Sequence, residues 1–221
     1  MPASARPSFE EELHQLHDLI LKMGEKARES VTRSIAALQT QDVEGAIQVI
    51  DYDIKINRLE DQINEKAIWL IAKEQPMATD LRKLMTAIKI SSDIERIGDL
   101  AVNVAKSTVI IGRETLFKPL NDIPEMANKV VTMFDQSLKA FHEEDVVLAR
   151  EVAELDDEVD DLYGRLVKEL MHTMSERPEM IQQITQLAFI ARYLERVGDH
   201  TTNIAENVVY LVKGKMYDLN A

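Results

Sequence analysis

The sequence predicts an all-α protein made of two tandem three-helix bundles, six long helices in total, related by internal duplication. Three observations carry this prediction. Glycine (7) and proline (6) are scarce among the 221 residues, so few residues interrupt helices. Apolar residues recur at steps of three and four over long stretches, which is the period of an amphipathic helix. Similar segments also recur 100 to 103 residues apart along the chain.

Three predicted helices make up the first repeat, and capping residues mark where they begin and end. A capping box opens the first helix. An aspartate N-cap opens the second helix, a proline in the first turn opens the third, and a glycine C-cap ends the third. These signals are, in chain order, Ser8 with Glu11, Asp42, Pro76 and Gly112.

The second repeat carries comparable signals. Its helices are predicted from about Asp122 to His142, from Asp145, and from Pro178 to just before Gly214. The segment between the repeats contains two prolines and lacks a helical period. We therefore predict a first repeat over residues 1–112, a linker over 113–124 and a second repeat over 125–221.

Two pairs of segments indicate the duplication. DVEGAIQVIDYDIKINRLE (42–60) aligns with DVVLAREVAELDDEVDDLY (145–163), and IERIGDLAVNVA (94–105) aligns with LERVGDHTTNIA (194–205). In the second pair Glu, Arg, Gly, Asp, Asn and Ala are identical. Helices of about 30 residues are roughly 45 Å long at 1.5 Å per residue, so we expect an elongated molecule.

Composition and charge argue against several classes of function. Cysteine is absent, which excludes disulfides and thiolate sites and fits a cytoplasmic protein. No stretch approaches the roughly 18 uncharged apolar residues of a spanning helix, and the N-terminus has no apolar signal segment. The formal net charge of −13 repels nucleic-acid phosphates and anionic lipid. We expect neither nucleic acid binding nor direct membrane insertion.

Acidic side chains form matching lines in both repeats, because residues four apart share a helix face. On the third and sixth helices these lines also include Asn103 and Asn203. We define the first acidic strip as Asp53, Glu95 and Asp99. We define the second acidic strip as Asp156, Asp160, Glu195 and Asp199.

A bound cation would relieve the repulsion within each strip. Carboxylates four residues apart repel each other by a few tenths of a kcal/mol, and their oxygens are ligands for magnesium, manganese, iron or zinc. Acidic pairs at this spacing also occur on plain solvated helices, but paired strips in both repeats favour metal binding. Asn57 stands where the second repeat has Asp160, so we expect the first site to be the weaker one.

Neighbouring residues have simpler expected roles. Arg96 and Arg196 are expected to pair with nearby carboxylates at the surface. Gly98 and Gly198 each cost roughly 1 kcal/mol in a helix interior, so we expect them to allow close packing of another helix. His200 lies about 100° around the helix from Asp199, which favours a packing or surface role over metal ligation.

The motifs ERIGDLAVNVA (95–105) and ERVGDHTTNIAE (195–206), each on the last helix of a repeat, resemble the signature of the PhoU family. The resemblance covers essentially the whole chain. It implies two similar three-helix bundles in a homodimer, with no enzymatic activity. It also implies a negative regulator of phosphate uptake and phosphate-starvation signalling, which links the ATPase subunit of the phosphate ABC transporter to a sensor histidine kinase. Multinuclear metal clusters, with iron or zinc, are implied on the acidic strips.

Two alternatives stay open at this point. In the first, the chain is a metal-free helical adaptor whose acidic strips dock basic partners. In the second, it is a ferritin-like di-iron enzyme, since such bundles use Glu-x-x-His motifs and the sequence has Glu11–His14 and Glu169–His172. These two motifs do not occupy equivalent places in the repeats, which counts against the second alternative.

Overall fold

The structure, a computed structural model, describes residues 7–113, 116 and 121–219. These residues form α-helices joined by short connections, without a β-strand in the described ranges. The helices are α1 (Pro7–Thr40), α2 (Val43–Tyr52), α3 (Ile54–Glu74), α4 (Thr79–Ile111), α5 (Asp122–Glu143), α6 (Val146–Glu176) and α7 (Ile181–Lys213), with a 3₁₀ turn at Pro178–Met180. The all-α prediction is confirmed, and α2 with α3 corresponds to the single second helix that was predicted.

The second helical segment is interrupted at Asp53. The dihedral angles of this residue stay helical (φ −55°, ψ −34°), so the segment does not turn away. Its carbonyl oxygen accepts bonds from the backbone N–H of Ile56 (2.8 Å) and of Asn57 (3.2 Å), and the first of these is a 3₁₀-type bond. The equivalent helix α6 is unbroken, so the irregularity falls on a residue of the first acidic strip.

Four of the predicted capping residues are confirmed. The Asp42 carboxylate accepts a bond from Gly45 N (2.9 Å), and the Asp145 carboxylate accepts bonds from the backbone of the first turn of α6. Gly112 and Gly214 end α4 and α7, each with φ +71°, a left-handed conformation that glycine adopts without strain.

The predicted start of the third helix at Pro76 is wrong, because α4 begins at Thr79. Gln75 takes a left-handed conformation (φ 46°), and its N–H donates to Ile71 O, which ends α3. Ala78 also has a positive φ of 51°, so the helix cannot continue back through it to the proline. Pro76 therefore lies in the connection between two helices.

The predicted linker over 113–124 lies mostly outside the described residues. Helix α5 begins at Asp122, so its first turn includes the last three positions of that linker. The placement of the boundary stays a prediction.

The last helices of the two repeats, α4 and α7, pack against each other at the centre of the molecule. Around this pair, α1, α2 and α3 pack on α4, while α5 and α6 pack on α7. One apolar core runs through both repeats and includes Ile94 and Ile97 of α4 and Leu194 and Val197 of α7, all almost completely buried. These residues fix the orientation of the helices that carry the Glu-Arg-x-Gly-Asp motifs.

None of the described helices combines the length and apolar character that are needed to cross a lipid bilayer.

Candidate functional site

The first acidic strip lies where α4 packs against the α2–α3 segment. Burial raises the pKa of the Asp53 carboxyl, and the charge of Asp99 raises it further, while a hydrogen bond from the Asn57 amide (3.2 Å) opposes the shift. Burial also raises the pKa of Glu95, again with help from Asp99. The structure thus brings the three predicted residues of this strip close enough to repel one another.

Sequence reasoning missed Glu60, which belongs to this cluster. Burial raises the pKa of the Glu60 carboxyl, and the charges of Asp61 and Asp99 add to the shift. The comparison of repeats hid this residue, because its counterpart in the second repeat is Tyr163. The helical spacing could have found it, since Glu60 lies seven residues after Asp53 and so shares its face.

The second acidic strip contains two almost completely buried carboxyl groups, which form its base. The exposed fraction is 3% for Asp156 and 8% for Glu195, whereas Asp160 and Asp199 are exposed at its rim. Thr202 Oγ1 on α7 donates a hydrogen bond to Asp156 Oδ2 on α6 (3.1 Å). The strip therefore spans the α6–α7 contact, with buried carboxyl groups at its base and solvated ones above.

Glu195 has a strongly shifted carboxyl group. Burial and the charge of Asp199 raise its pKa to about 7, with smaller contributions from Asp160 and Asp156. Arg192 partly offsets the shift by donating to one carboxylate oxygen. The other oxygen, Oε2, is buried and has no hydrogen-bond partner among the described residues. An ionised Glu195 is therefore short of compensating charge.

Gly98 and Gly198 let an aspartate of each acidic strip lie close to the helix that carries the Glu-Arg-x-Gly-Asp motif. This agrees with the expectation that these glycines allow close packing. A Cβ built on Gly198 would lie 2.6 Å from Asp156 Oδ1. On Gly98 it would lie 3.0 Å from Ile56 Cδ1 and 3.4 Å from Asp53 Oδ1. The approach is closer in the second repeat, where the aspartate itself meets the glycine.

The arginines of the motif behave differently in the two repeats. Arg96 pairs with Asp99 (3.3 Å) and with Glu95 (3.7 Å), as predicted. Arg196 makes no ion pair or hydrogen bond within the described ranges, so the expectation that it pairs with a carboxylate is wrong. Arg192, one turn earlier on α7, pairs with Glu195 instead. Both arginines lie within one turn of Glu195, but residues three apart on a helix face each other and adjacent residues do not, which favours Arg192.

A polar contact joins the two repeats beside the second strip. His200 Nδ1 lies 3.0 Å from Asp93 Oδ1 on α4, and the Asn203 amide donates to the same oxygen (3.2 Å). The predicted packing role of His200 agrees with this contact. Asp93 was not singled out from the sequence, because the packing of α4 on α7 is not visible in either helix alone.

The carboxylates of each strip lie near one another but are not arranged around a single metal position in the described residues. Within the described ranges, no three His, Asp or Glu side chains are already arranged to hold one metal ion. Metal binding at these residues therefore stays a prediction, and binding would have to draw the carboxylates together.

The two Glu-x-x-His motifs of the ferritin-like alternative are not brought together. Glu11–His14 lies on α1 and Glu169–His172 on α6, and these helices make no contact in the described part of the chain. His172 faces Glu176 of its own helix (3.4 Å). This arrangement does not support a di-iron site built from these motifs.

A sequence profile of the PhoU domain matches residues 20–108 and, a second time, residues 123–208. The chain belongs to the PhoU family. The double match also confirms the two tandem repeats that were predicted from the internal alignment.

Curated relatives and solved structures agree with membership of the PhoU family. A Clostridium acetobutylicum protein is 41% identical over 97% of this chain and 99% of its own length, and an Aquifex aeolicus protein is 39% identical over 93% of each. Both are named phosphate-specific transport system accessory protein PhoU homolog. The crystal structure of PhoU from Pseudomonas aeruginosa matches with a TM-score of 0.89 at 35% identity, covering 94% of this chain and 100% of that one. The Streptococcus pneumoniae phosphate transport system regulatory protein PhoU matches with a TM-score of 0.89 at 30% identity, covering 95% and 99%.

Proposed function

We propose that this chain is a cytoplasmic, non-enzymatic accessory protein of phosphate-specific transport that represses phosphate uptake and phosphate-starvation signalling. One observation carries the proposal: relatives that bear this accessory-protein name match the chain almost from end to end, one of them at 41% identity. A match of that extent includes both repeats and both motif helices, so the relatives and this chain share the same architecture.

The protein acts, in this proposal, by docking. A homodimer links the ATPase subunit of the phosphate ABC transporter to a sensor histidine kinase and keeps the kinase from signalling when phosphate is plentiful. The net charge of −13 supports docking against basic faces of partner proteins, because complementary charge speeds and orients association. The acidic strips form part of the docking surface or stabilise it.

The second acidic strip also has the chemistry of a cation site. Its buried Glu195 carries an oxygen without a hydrogen-bond partner among the described residues, and three neighbouring aspartates oppose its ionisation. A divalent cation supplies the positive charge that this group of carboxylates lacks. Asp156, Asp160, Glu195 and Asp199 would hold it, and Asp53, Glu95 and Asp99 would hold a weaker counterpart in the first repeat. Iron, zinc, manganese and magnesium are the candidate metals.

The regulatory role is tested by alkaline phosphatase output in a strain that lacks this gene and grows in excess phosphate. High output that the wild-type gene represses again supports the proposal, whereas output that stays low in the deletion strain contradicts it. A further strain carries Glu195→Gln with Asp199→Asn, which asks whether the second strip is needed. The matched control is Glu151→Gln with Glu154→Gln, an exposed acidic pair on α6 outside the strips.

A metal-free adaptor is the second candidate, and the geometry favours it in one respect: no three side chains in the described ranges are already arranged around one ion. Metal analysis of protein purified without chelator separates the two. One or more equivalents of metal, lost in the Glu195→Gln/Asp199→Asn variant, supports the metal site. Far less than one equivalent of metal, with no further binding when metal is added, supports the metal-free adaptor.

A further inference from the structure

A cavity of about 430 Å³ opens away from the acidic strips, where α1, α4, α5 and α7 meet. Apolar side chains of the core form part of its lining, and three histidines lie along its polar part. His14 and His17 come from α1 in the first repeat, and His142 comes from the last turn of α5 in the second. The cavity thus lies at a junction between the repeats.

The imidazole rings are close enough to share one ion. The ring centroids of His17 and His142 are 5.2 Å apart, at an interplanar angle of 41°. In a tetrahedral zinc site, with Zn–N of about 2.1 Å and about 1.1 Å from nitrogen to ring centre, two imidazole centroids lie about 5 Å apart. Phe141 stacks on His17 with centroids 4.8 Å apart, which restrains the His17 ring.

The surroundings of His17 favour a cation over an anion. Three carboxylates, Glu10, Asp80 and Glu144, line the same cavity, against a single lysine, Lys83. Burial and the neighbouring His142 lower the pKa of the His17 imidazole, which favours the neutral form that binds metals. Its Nδ1 atom is buried, lies 3.9 Å from Asp18 Oδ1, and has no hydrogen-bond partner among the described residues.

We propose that His17 and His142 form a binding site for a divalent transition metal such as Zn²⁺, which joins α1 of the first repeat to α5 of the second. The site starts as a two-imidazole chelate completed by water. The exposed His14 ring, 6.3 Å from His17, and the Glu144 carboxylate can add to it by rotating about their side-chain bonds. This site is separate from the acidic strips and does not depend on the proposed role in phosphate regulation.

The test is a Zn²⁺ titration of the full chain, followed both by calorimetry and by the NMR signals of the histidine rings. We expect the ring signals of His17 and His142 to shift together along one saturable binding curve, while those of His172 do not move. His17→Gln and His142→Gln should each weaken this binding event at least tenfold. Binding should also raise the melting temperature of the wild type, since a ligand of the folded state stabilises it.

His172→Gln is the matched control, because His172 is exposed and lies on α6 next to Glu176. His142 is exposed as well, so its replacement does not disturb the core, and circular dichroism verifies the fold of His17→Gln. Any zinc that the acidic strips bind would be bound equally by every variant, so it does not affect the difference between the wild type and the histidine variants. Equal Zn²⁺ stoichiometry and affinity in the wild type, His17→Gln and His142→Gln would overturn the proposal, as would histidine rings that do not respond.

Discussion

Asp156 of α6 and Gly198 of α7 are in direct contact, and a Cβ on the glycine would lie 2.6 Å from the aspartate Oδ1. The other oxygen of this carboxylate accepts a hydrogen bond from Thr202 (3.1 Å). Because Asp156 is short and almost fully buried, it cannot swing away as a long surface side chain could. The glycine of the motif therefore sets how closely the buried carboxylate approaches α7.

Replacing Gly198 with alanine should destabilise the protein by about 1–2 kcal/mol in urea unfolding. The added methyl group pushes Asp156 aside and strains its bond to Thr202, which outweighs the gain of about 1 kcal/mol in helix propensity. The control is Gly164→Ala on α6, where no atom lies within 4 Å of the new Cβ. That variant should gain about 0.5–1 kcal/mol. Equal stability of the two variants would contradict the contact.

The raised pKa of Glu195 predicts a loss of stability as the pH rises. The folded state holds this proton with a pKa of about 7, against an ordinary value of 4.5 for a glutamate, so it binds more protons than the unfolded state between these values. The contribution of this group to the stability of the folded state is fully present below about pH 4.5. It falls as the pH rises to about 7 and does not change further above that pH. After allowance for solvent screening, we expect the free energy of unfolding to fall by about 1–2 kcal/mol over this pH range.

Glu195→Gln should remove most of this pH dependence and stabilise the apo protein above pH 7. Denaturant midpoints between pH 4.5 and 8 measure the effect, with Glu154→Gln as an exposed control on the same bundle. An unchanged slope in Glu195→Gln would assign the dependence to other carboxyl groups, of which Asp53, Glu60, Glu95 and Asp160 shift in the same direction.

Arg192, and not the motif arginine Arg196, should control the ionisation of Glu195. Removing the guanidinium in Arg192→Gln takes away a positive charge that lowers the pKa of Glu195, so this pKa should rise above about 7. Carboxyl ¹³C NMR titration measures it directly. Arg196→Gln should leave the titration unchanged, and a larger shift there than in Arg192→Gln would reverse the assignment.

The two aspartate N-caps should each contribute about 1 kcal/mol to stability. Asp42→Ala leaves the Gly45 N–H without its side-chain acceptor, and Asp145→Ala does the same for Val147 and Leu148. Asn121→Ala is the control, since Asn121 precedes α5 without a capping side-chain bond. In thermal unfolding, the melting temperature of Asn121→Ala should be close to that of the wild type, and those of both aspartate variants should be lower.

Local chemistry explains which parts of the fold were predictable. Asp42 and Asp145 cap helices because their side chains reach backbone groups two or three residues away, and Gly112 and Gly214 end helices through their own backbone freedom. Such interactions depend on neighbours in sequence. Pro76 misled the prediction because Gln75 before it and Ala78 after it have positive φ angles, which neither residue type indicates.

The acidic strips were predictable as faces of single helices but not as clusters. Helical periodicity places Glu195 and Asp199 together, yet it says nothing of how deeply Glu195 is buried. The contact of Asp93 with His200 depends on the packing of two helices about 100 residues apart in sequence. Glu60 was missed because the search relied on equivalence between repeats, and the repeats differ at that position.

The packing of α4 on α7 places equivalent helices of two related units face to face, as equivalent elements meet at a symmetric dimer interface. Two separate three-helix units would have to find each other in solution, and their association would weaken on dilution. Joining them in one polypeptide replaces that encounter by a high effective concentration within the chain. The shared core therefore does not depend on the concentration of the protein.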